Sequence, residues 1–316
     1  MKNAVKQVYD QVQYLTIDES HDGQRLDNYL IARLKGVPKS RIYRLLRKGE
    51  VRINRSRCKP DYRLQQGDEV RLPPIRVAQR AEVQSKRADL DWLEDTILHE
   101  DESLLVVNKP SGLAVHGGSG VSLGLIEALR QLRPQARFLE LVHRLDRDTS
   151  GLLLVAKKRA ALVNLHEQMR GSDIDKRYLA LVKGRWNGKA IMVEAPLLRT
   201  QTRSGERIVR VAKQGKSARS RISPQRLFAD ASLVEVRIYT GRTHQVRVHC
   251  EHSGHPIAGD EKYGDDIFNK QMKQHGLRRL FLHASRMRLQ HPASGERLEL
   301  EAPLPTELSE VLDKLS

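Results

Sequence analysis

The chain has 316 residues and carries 56 Lys and Arg against 39 Asp and Glu, a formal net charge of +17. That excess is far beyond what solubility requires, so a polyanion, nucleic acid first, is the expected partner. No run approaches the ~20 consecutive apolar residues of a membrane span, residues 1–14 are too polar for a signal peptide, and Cys58 and Cys250 are the only cysteines, which together predict a soluble cytoplasmic protein of about two domains without a disulfide framework.

In residues 24–34, Leu26, Tyr29, Leu30 and Leu34 recur at helical spacing, and Gly36 follows where a left-handed cap belongs. Pro38 suits the first turn of a second helix, with Ile42, Leu45 and Leu46 inward and Gly49 at its end. On the opposite face Arg41, Arg44 and Lys48 fall within roughly a 60° sector, flanked by Lys39 and Arg47, a row along which a phosphate backbone can lie. Residues 51–53 and 69–72 read as short strands of a hairpin, closed by Pro73 and Pro74. The chain then loses periodicity up to about Asp95, as an exposed linker does. Beyond it, strands are predicted at residues 104–107, 152–156, 178–182, 233–238 and 246–250. One helix carries Leu125, Leu129 and Leu132, and another carries Leu162, Leu165 and Met169 and ends at Gly171. Strands in runs with few helices between them predict an α+β domain on a mixed, largely antiparallel sheet with flanking helices. The expected division is a tail at 1–16, a small basic module at 17–75, a linker at 76–95 and a large domain at 96–316.

Chemistry is concentrated in His143-Arg144-Leu145-Asp146-Arg147-Asp148-Thr149-Ser150-Gly151, which sets acids, arginines and a histidine beside a segment that must be buried. Residues 242–250 alternate as a strand, with Val246, Val248 and Cys250 on one face and Thr243, Gln245, Arg247 and His249 on the other. An arginine on an interior strand needs a carboxylate or solvent, and Asp146 is the candidate partner for Arg247. An arginine within reach of an aspartate favours its ionised form and keeps a nucleophile ready in an apolar pocket. His143 and His244 are assigned no proton transfer, because a single histidine is as readily a satisfied hydrogen-bonding residue. No HxxxH, HExxH or acidic cluster has metal spacing, and Gly117-Gly118-Ser119-Gly120 lacks the ending of a phosphate-binding P-loop. Tyr178 matters because only 4% of the residues are aromatic and a base lifted from a helix needs a flat apolar partner. A strand tyrosine is by default a core or cross-strand packer, and Lys176 and Arg177 beside it pull toward RNA.

The ordered segments Asp22-Gly23-Gln24-Arg25-Leu26-Asp27, Pro38-Lys39-Ser40-Arg41, Gly49-Glu50-Val51-Arg52-Ile53-Asn54 and Gly67-Asp68-Glu69-Val70 resemble the RNA-binding domain first seen in the small-subunit ribosomal protein S-four. Farther along, Asn108-Lys109-Pro110-Ser111-Gly112, the run His143 to Gly151, Lys176-x-Tyr178-Leu-Ala and Gly241-Arg-Thr-His-Gln-Val-Arg247-Val-His249 resemble the RluA family of pseudouridine synthases. The likeness covers about residues 15 to 313 and implies a pseudouridine synthase domain behind the S-four-like module. By that resemblance Asp146 is the catalytic aspartate, Arg247 its salt-bridge partner and Tyr178 the residue that stacks on the target uracil. Arg144 and Arg147 would hold phosphates or help expel the base, with Lys176 and the module's Lys39, Arg41, Arg44 and Lys48 as further RNA contacts. It also implies several uridines of 23S ribosomal RNA or its large-subunit precursor as substrate, and an isomerisation that consumes nothing and so needs no cofactor; a monomer without metal or membrane is expected. Val246 stands where Ile or Leu is usual, which only loosens packing. Two alternatives stay open. A non-catalytic RNA-binding ribosome assembly factor fits the charge but gives no reason for Asp146 and Arg247. A glycosidic hydrolase would want a second carboxylate, for which Asp148 is the nearby candidate.

Overall fold

In the computed structural model the described residues are 7–9, 11–34, 36–77, 89–117, 123–201 and 207–316. The chain divides into two compact units, Met1–Lys86 and Arg87–Ser316. The first contains β1 (Gln7–Tyr9), β2 (Gln13–Thr16), α1 (Leu26–Arg33), α2 (Lys39–Lys48), β3 (Arg52–Ile53), β4 (Ser56–Arg57), β5 (Glu69–Leu72) and β6 (Ile75–Val77). Its four-stranded sheet runs β2-β5-β3-β4, while β1 pairs with β6. The expected tail thus supplies two strands, since Leu15 packs on the module's core and Ile17 is buried in it, an alternation too short to read as a strand. The helices follow the apolar spacing. Ile42, Leu45 and Leu46 bury one face of α2, each worth roughly 1.5–3 kcal/mol. Gly49 caps it with its N–H on the Leu45 and Leu46 carbonyls. Lys39, Arg41, Arg44, Arg47 and Lys48 all lie exposed on the remaining surface of that helix. The motif acids are structural: Asp27 takes Arg25 Nη2 at 2.7 Å and the Tyr43 hydroxyl at 3.0 Å, and Asp68 takes Asn54, Tyr62 and the Gln65 N–H.

The second unit contains β7 (Ile97–Glu100), β8 (Leu104–Lys109), α3 (Leu125–Leu132), β9 (Glu140–Leu141), β10 (Ser150–Ala156), α4 (Arg159–Gly171), β11 (Asp175–Lys183), β12 (Ile191–Glu194), β13 (Leu197–Gln201), β14 (Arg207–Val211), β15 (Arg219–Leu227), β16 (Ala231–Ile238), α5 (Gln245–His252), α6 (Asp266–Gln274), β17 (Leu282–Gln290), β18 (Arg297–Glu301) and α7 (Thr306–Lys314). A ten-stranded sheet runs β12-β15-β16-β11-β17-β10-β8-β7, with β18 on β17 and β9 on β10, and β13-β14 form a separate hairpin. Within the large sheet every pairing is antiparallel except β10 with β17, the mixed, largely antiparallel sheet that the sequence predicts. Leucines of α3 and α4 pack with β8, β10 and β11 in the main core, and α6 and α7 cover Leu181, Leu233 and Phe281 in a second cluster. All seven residues of β10 are buried. Where it meets β17, Gly151 has φ 108° and a Cβ there would lie 2.2 Å from the Ala284 carbonyl oxygen, so only glycine lets the two backbones approach.

Two expectations are corrected. The end of the expected linker is folded: a 3₁₀ turn at Asp91–Thr96 buries Leu93, which packs with Leu90 against Ala128 and Leu132, while residues 78–88 lie outside the described residues. The strand expected at 246–250 is the helix α5. Val246 and Cys250 join the sheet's core, but Val248 points into the hairpin cluster with Leu197 and Val209. In a strand all three would share a face, whereas in a helix a residue two positions on points about 200° away. Their polar neighbours are buried too, so the apolar/polar alternation marked internal hydrogen bonding and not a wet face. Gln245 bonds Ser220 Oγ and the Arg219 carbonyl, and His249 bonds Ser220 Oγ and the Ala195 carbonyl.

Candidate active site

Asp146 lies in the loop between β9 and β10, and that loop is pinned by the segment after β8. The Lys109 ammonium is fully buried and donates to the carbonyls of Pro110 at 2.8 Å, Leu113 at 3.0 Å and Arg147 at 2.9 Å. Gly112 N–H also donates to the Arg147 carbonyl, Ser111 Oγ to that of Asp148, and Arg147 Nε to that of Gly112. The first and second family motifs therefore form one clamp. Burial pulls the Lys109 pKa down to about 7, yet its three carbonyl acceptors match the three N–H groups of the charged form. Leu145 and Thr149 plug into the core on either side of Asp146.

The carboxylate of Asp146 opens on a cavity of about 110 Å³ lined by Arg144, Leu145, Thr149, Tyr178, Ile238, Leu282 and residues 241–247. Among the described residues no group hydrogen-bonds it, and its nearest donors are His244 Nε2 and Arg247 Nη1, both 3.8 Å from Oδ2. The structure thus brings Arg247 to Asp146, but not as its chief partner. Arg247 Nε and Nη2 bind both oxygens of Asp260 at 2.7 Å, a bidentate pair in which Arg247 is 8% and Asp260 2% exposed. Burial works against both charges, but each holds the other ionised: the Arg247 pKa lies above its ordinary value and that of Asp260 below. Lys262 N–H and Tyr263 N–H complete Asp260. Its neighbour Gly259 has φ 73°, and a Cβ there would lie 2.1 Å from the Arg279 carbonyl oxygen. Sequence reading missed Asp260 and Tyr263. The signal was present in Gly259-Asp260-x-x-Tyr263-Gly264, an acid and an aromatic between two glycines.

Tyr178 stands on the inward face of β11, opposite an irregularity at Ser285 of β17. It is 8% exposed, and burial together with the charge of Asp146 pushes its phenol pKa up, so it remains neutral. Arg144 and Arg147 are exposed, and Arg144 lines the cavity. Lys176 is corrected: it is buried, shares the inward face of β11 with Tyr178, and its amine lies 3.5 Å from the Met169 sulfur. The alternation that turns Tyr178 inward turns Lys176 inward as well, which removes it from the surface phosphates reach. His143 Nε2 accepts from the Leu154 N–H at 3.2 Å, and burial with the nearby Lys176 lowers its pKa to about 4, so it is a neutral structural group. Asp148 is exposed and absent from the cavity lining, which removes the second carboxylate that a hydrolase would use. Arg242 turns to the Ser217 carbonyl. Among the described residues no cluster of three His, Cys, Asp or Glu side chains is arranged to hold a metal ion, and no helix is long and apolar enough to cross a membrane.

Residues 103–252 match the family model described as RNA pseudouridylate synthase, and residues 24–70 match the S4 domain. The chain is 58% identical over 316 residues to the ribosomal large subunit pseudouridine synthase C of Pasteurella multocida (strain Pm70), covering 99% of this chain and 97% of that one. To the protein of the same name from Escherichia coli (strain K12) it is 56% identical over 305 residues, 95% of each chain. Among solved structures it resembles human RNA Pseudouridylate Synthase Domain Containing 4, with a TM-score of 0.61 and 29% identity over 72% of this chain and 96% of that one.

Proposed function

The chain belongs to the RNA pseudouridylate synthase family, and on that footing we propose that it isomerises uridine to pseudouridine at several sites of 23S ribosomal RNA, with Asp146 as the reacting group. The observation that carries the assignment is the Asp146 carboxylate itself: it is the acid at the cavity, it accepts no hydrogen bond among the described residues, and Tyr178 forms a wall beside it. The reaction breaks the N1–C1′ bond, turns the uracil so that C5 faces C1′, forms the carbon–carbon bond, and removes the C5 proton while the freed N1 takes one up. The net change is an isomerisation, so no co-substrate is consumed; in this reading a single chain acts in the cytoplasm without metal or cofactor.

The uridine must first leave its stack, at a cost of a few kcal/mol. Stacking on Tyr178 returns about 1–3 kcal/mol. In this reading Arg144, at the cavity, and Arg147, exposed in the same loop, hold phosphates, and the exposed row on α2 is a second hold on the RNA; their exposure supports this. Removal of the 2′ proton, attack on C1′ and addition to C6 of the base all begin from the Asp146 carboxylate. Arg247 Nη1 stands 3.8 Å from it without hydrogen-bonding it, because Asp260 holds the Nε and Nη2 edge of the guanidinium.

Tritium release from ribosomal RNA labelled at uridine C5 tests the reading. Asp146→Asn is expected to bind RNA nearly as well as the parent and to release none. Near-normal release by that variant would overturn the assignment, and no release by the parent protein would leave an RNA-binding assembly factor. Mapping pseudouridines in ribosomal RNA with and without the protein identifies the sites.

A further inference from the structure

The Tyr263 hydroxyl joins two parts of the domain that are distant in sequence. The Val209 N–H of β14 donates to it at 2.9 Å, and His244 Nδ1 lies 2.7 Å from it. The two rings meet edge-on with centroids 5.5 Å apart, and the Arg247 guanidinium stands 5.0 Å from the centre of the phenol ring. On the far side of the imidazole, Nε2 faces Asp146 Oδ2 at 3.8 Å.

These contacts fix the imidazole proton. A phenol that accepts from an amide still has its one hydrogen to donate, Arg247 beside it offers only donors, and among the described residues His244 Nδ1 is the one acceptor within hydrogen-bond distance of it. His244 Nδ1 is therefore the acceptor, and the ring hydrogen is on Nε2, facing a carboxylate that accepts. The Tyr263 end fixes the tautomer, and the carboxylate 3.8 Å from Nε2 matches it. The backbone agrees: His244 is held at φ 54°, the left-handed region, as the residue that opens α5. A residue with a Cβ stays there only when its surroundings dictate it.

Resting on the assignment of Asp146 above, we propose that Tyr263 is a positioning residue for the isomerisation. It holds neutral His244 with Nε2–H toward Asp146 Oδ2 and ties that donor to the seat of the β13–β14 hairpin through Val209. Asp146 Oδ2 then faces one neutral and one charged donor, both too long to be hydrogen bonds, and a movement of under about 1 Å brings either into range. The carboxylate keeps its lone pairs for the substrate, with donors poised as its charge changes along the reaction. Displacement of β14 frees the phenol to turn and releases the imidazole to the other tautomer, so the hairpin's position is felt at the reacting group.

The test uses the full chain labelled with ¹⁵N-histidine, with His244 assigned by its absence from His244→Gln. At neutral pH the parent should show an unprotonated Nδ1 and a protonated Nε2, and Tyr263→Phe, which keeps the ring beneath Arg247, should show a mixture. Single-turnover isomerisation should fall about tenfold in Tyr263→Phe, the value of one ordinary hydrogen bond, at unchanged RNA affinity. In the His244→Gln background Tyr263→Phe should cost nothing further. A proton on Nδ1 in the parent, or a Tyr263→Phe cost undiminished in that background, overturns the proposal, and the parent's nitrogen spectrum decides the tautomer even if Tyr263→Phe folds poorly. Turnover by Asp146→Asn removes the functional reading and this proposal with it, whereas an inactive Asp146→Asn beside an indifferent Tyr263→Phe removes this proposal alone.

Discussion

Asp260→Asn should damage the protein in two separable ways, although the residue is not itself part of the cavity lining and is almost fully buried. Asparagine has the same shape and leaves no hole, so what is lost is the charge opposite Arg247 and one of the two acceptor oxygens that the guanidinium grips at 2.7 Å. Breaking one side of a buried pair costs about 3–5 kcal/mol, because the remaining charge is left in the interior. At about 2–4 °C per kcal/mol for a domain of this size, the melting temperature should drop by about 6–20 °C. The guanidinium then has one carboxylate left within reach, Asp146 at 3.8 Å. If it closes that gap, the reacting oxygen acquires a charge-assisted hydrogen bond worth about 1.5–3 kcal/mol, which must be surrendered in the reaction and slows it about ten- to 150-fold. Thermal unfolding followed by circular dichroism measures the first effect, and single-turnover tritium release below the variant's melting temperature measures the second. An unchanged melting temperature would show that the charge of Asp260 does not hold Arg247. A lowered melting temperature with a normal rate would refute the argument that Asp146 reacts because Arg247 is occupied elsewhere.

Replacing Lys39, Arg41, Arg44 and Lys48 together by alanine should weaken RNA binding and shrink the dependence of log K on log salt by up to about one per lost phosphate contact, with the single-turnover rate at saturation unchanged; an identical salt slope would mean that α2 does not lie on RNA. Stability should fall as the pH drops from about 6.5 toward 4: burial lowers His143 and His283 to about 4, so the unfolded chain takes up protons near the ordinary histidine value before the folded one does. Each contributes up to about 3 kcal/mol that is present above pH 6.5 and lost through pH 4, and burial shifts His244 and His249 in the same direction. Urea unfolding at pH 7 and pH 5 checks the sign, and a protein more stable at pH 5 would contradict it.

Elements with one wet face were legible in the sequence, and elements buried all round were not. In α2 the basic and apolar residues separate cleanly at helical spacing, so its face and its cap at Gly49 follow from the residues. β10 announces itself as an unbroken apolar run. α5 carries six buried residues in eight, polar ones included, and its short Val-x-Val-x-Cys run fits a strand as well as a helix. Only Val248 distinguishes them, and its destination, the β13–β14 cluster, is set by a hairpin that local periodicity does not reveal. The same limit misplaced Lys176, whose neighbours suggested RNA while its register on β11 put it inside beside Tyr178.

The site divides along the same line. Asp146 and Tyr178 could be proposed because the residues around them are unusual, and the structure lines one cavity with both; the loop clamp was implicit in two motifs joined by Lys109, Ser111, Gly112 and Arg147. The partner of Arg247 was not, because a sequence shows which acids exist and not which of them wins a guanidinium. Geometry decides in favour of Asp260, which is held by two backbone N–H groups and offers both oxygens from a fully enclosed turn. A carboxylate so completely bonded is a poor nucleophile and a good anchor. Asp146, partly open and without a hydrogen bond among the described residues, has the opposite properties. Two aspartates near one arginine thus take different roles from their surroundings: the one the arginine binds sets its position, and the one it only approaches is left free to react.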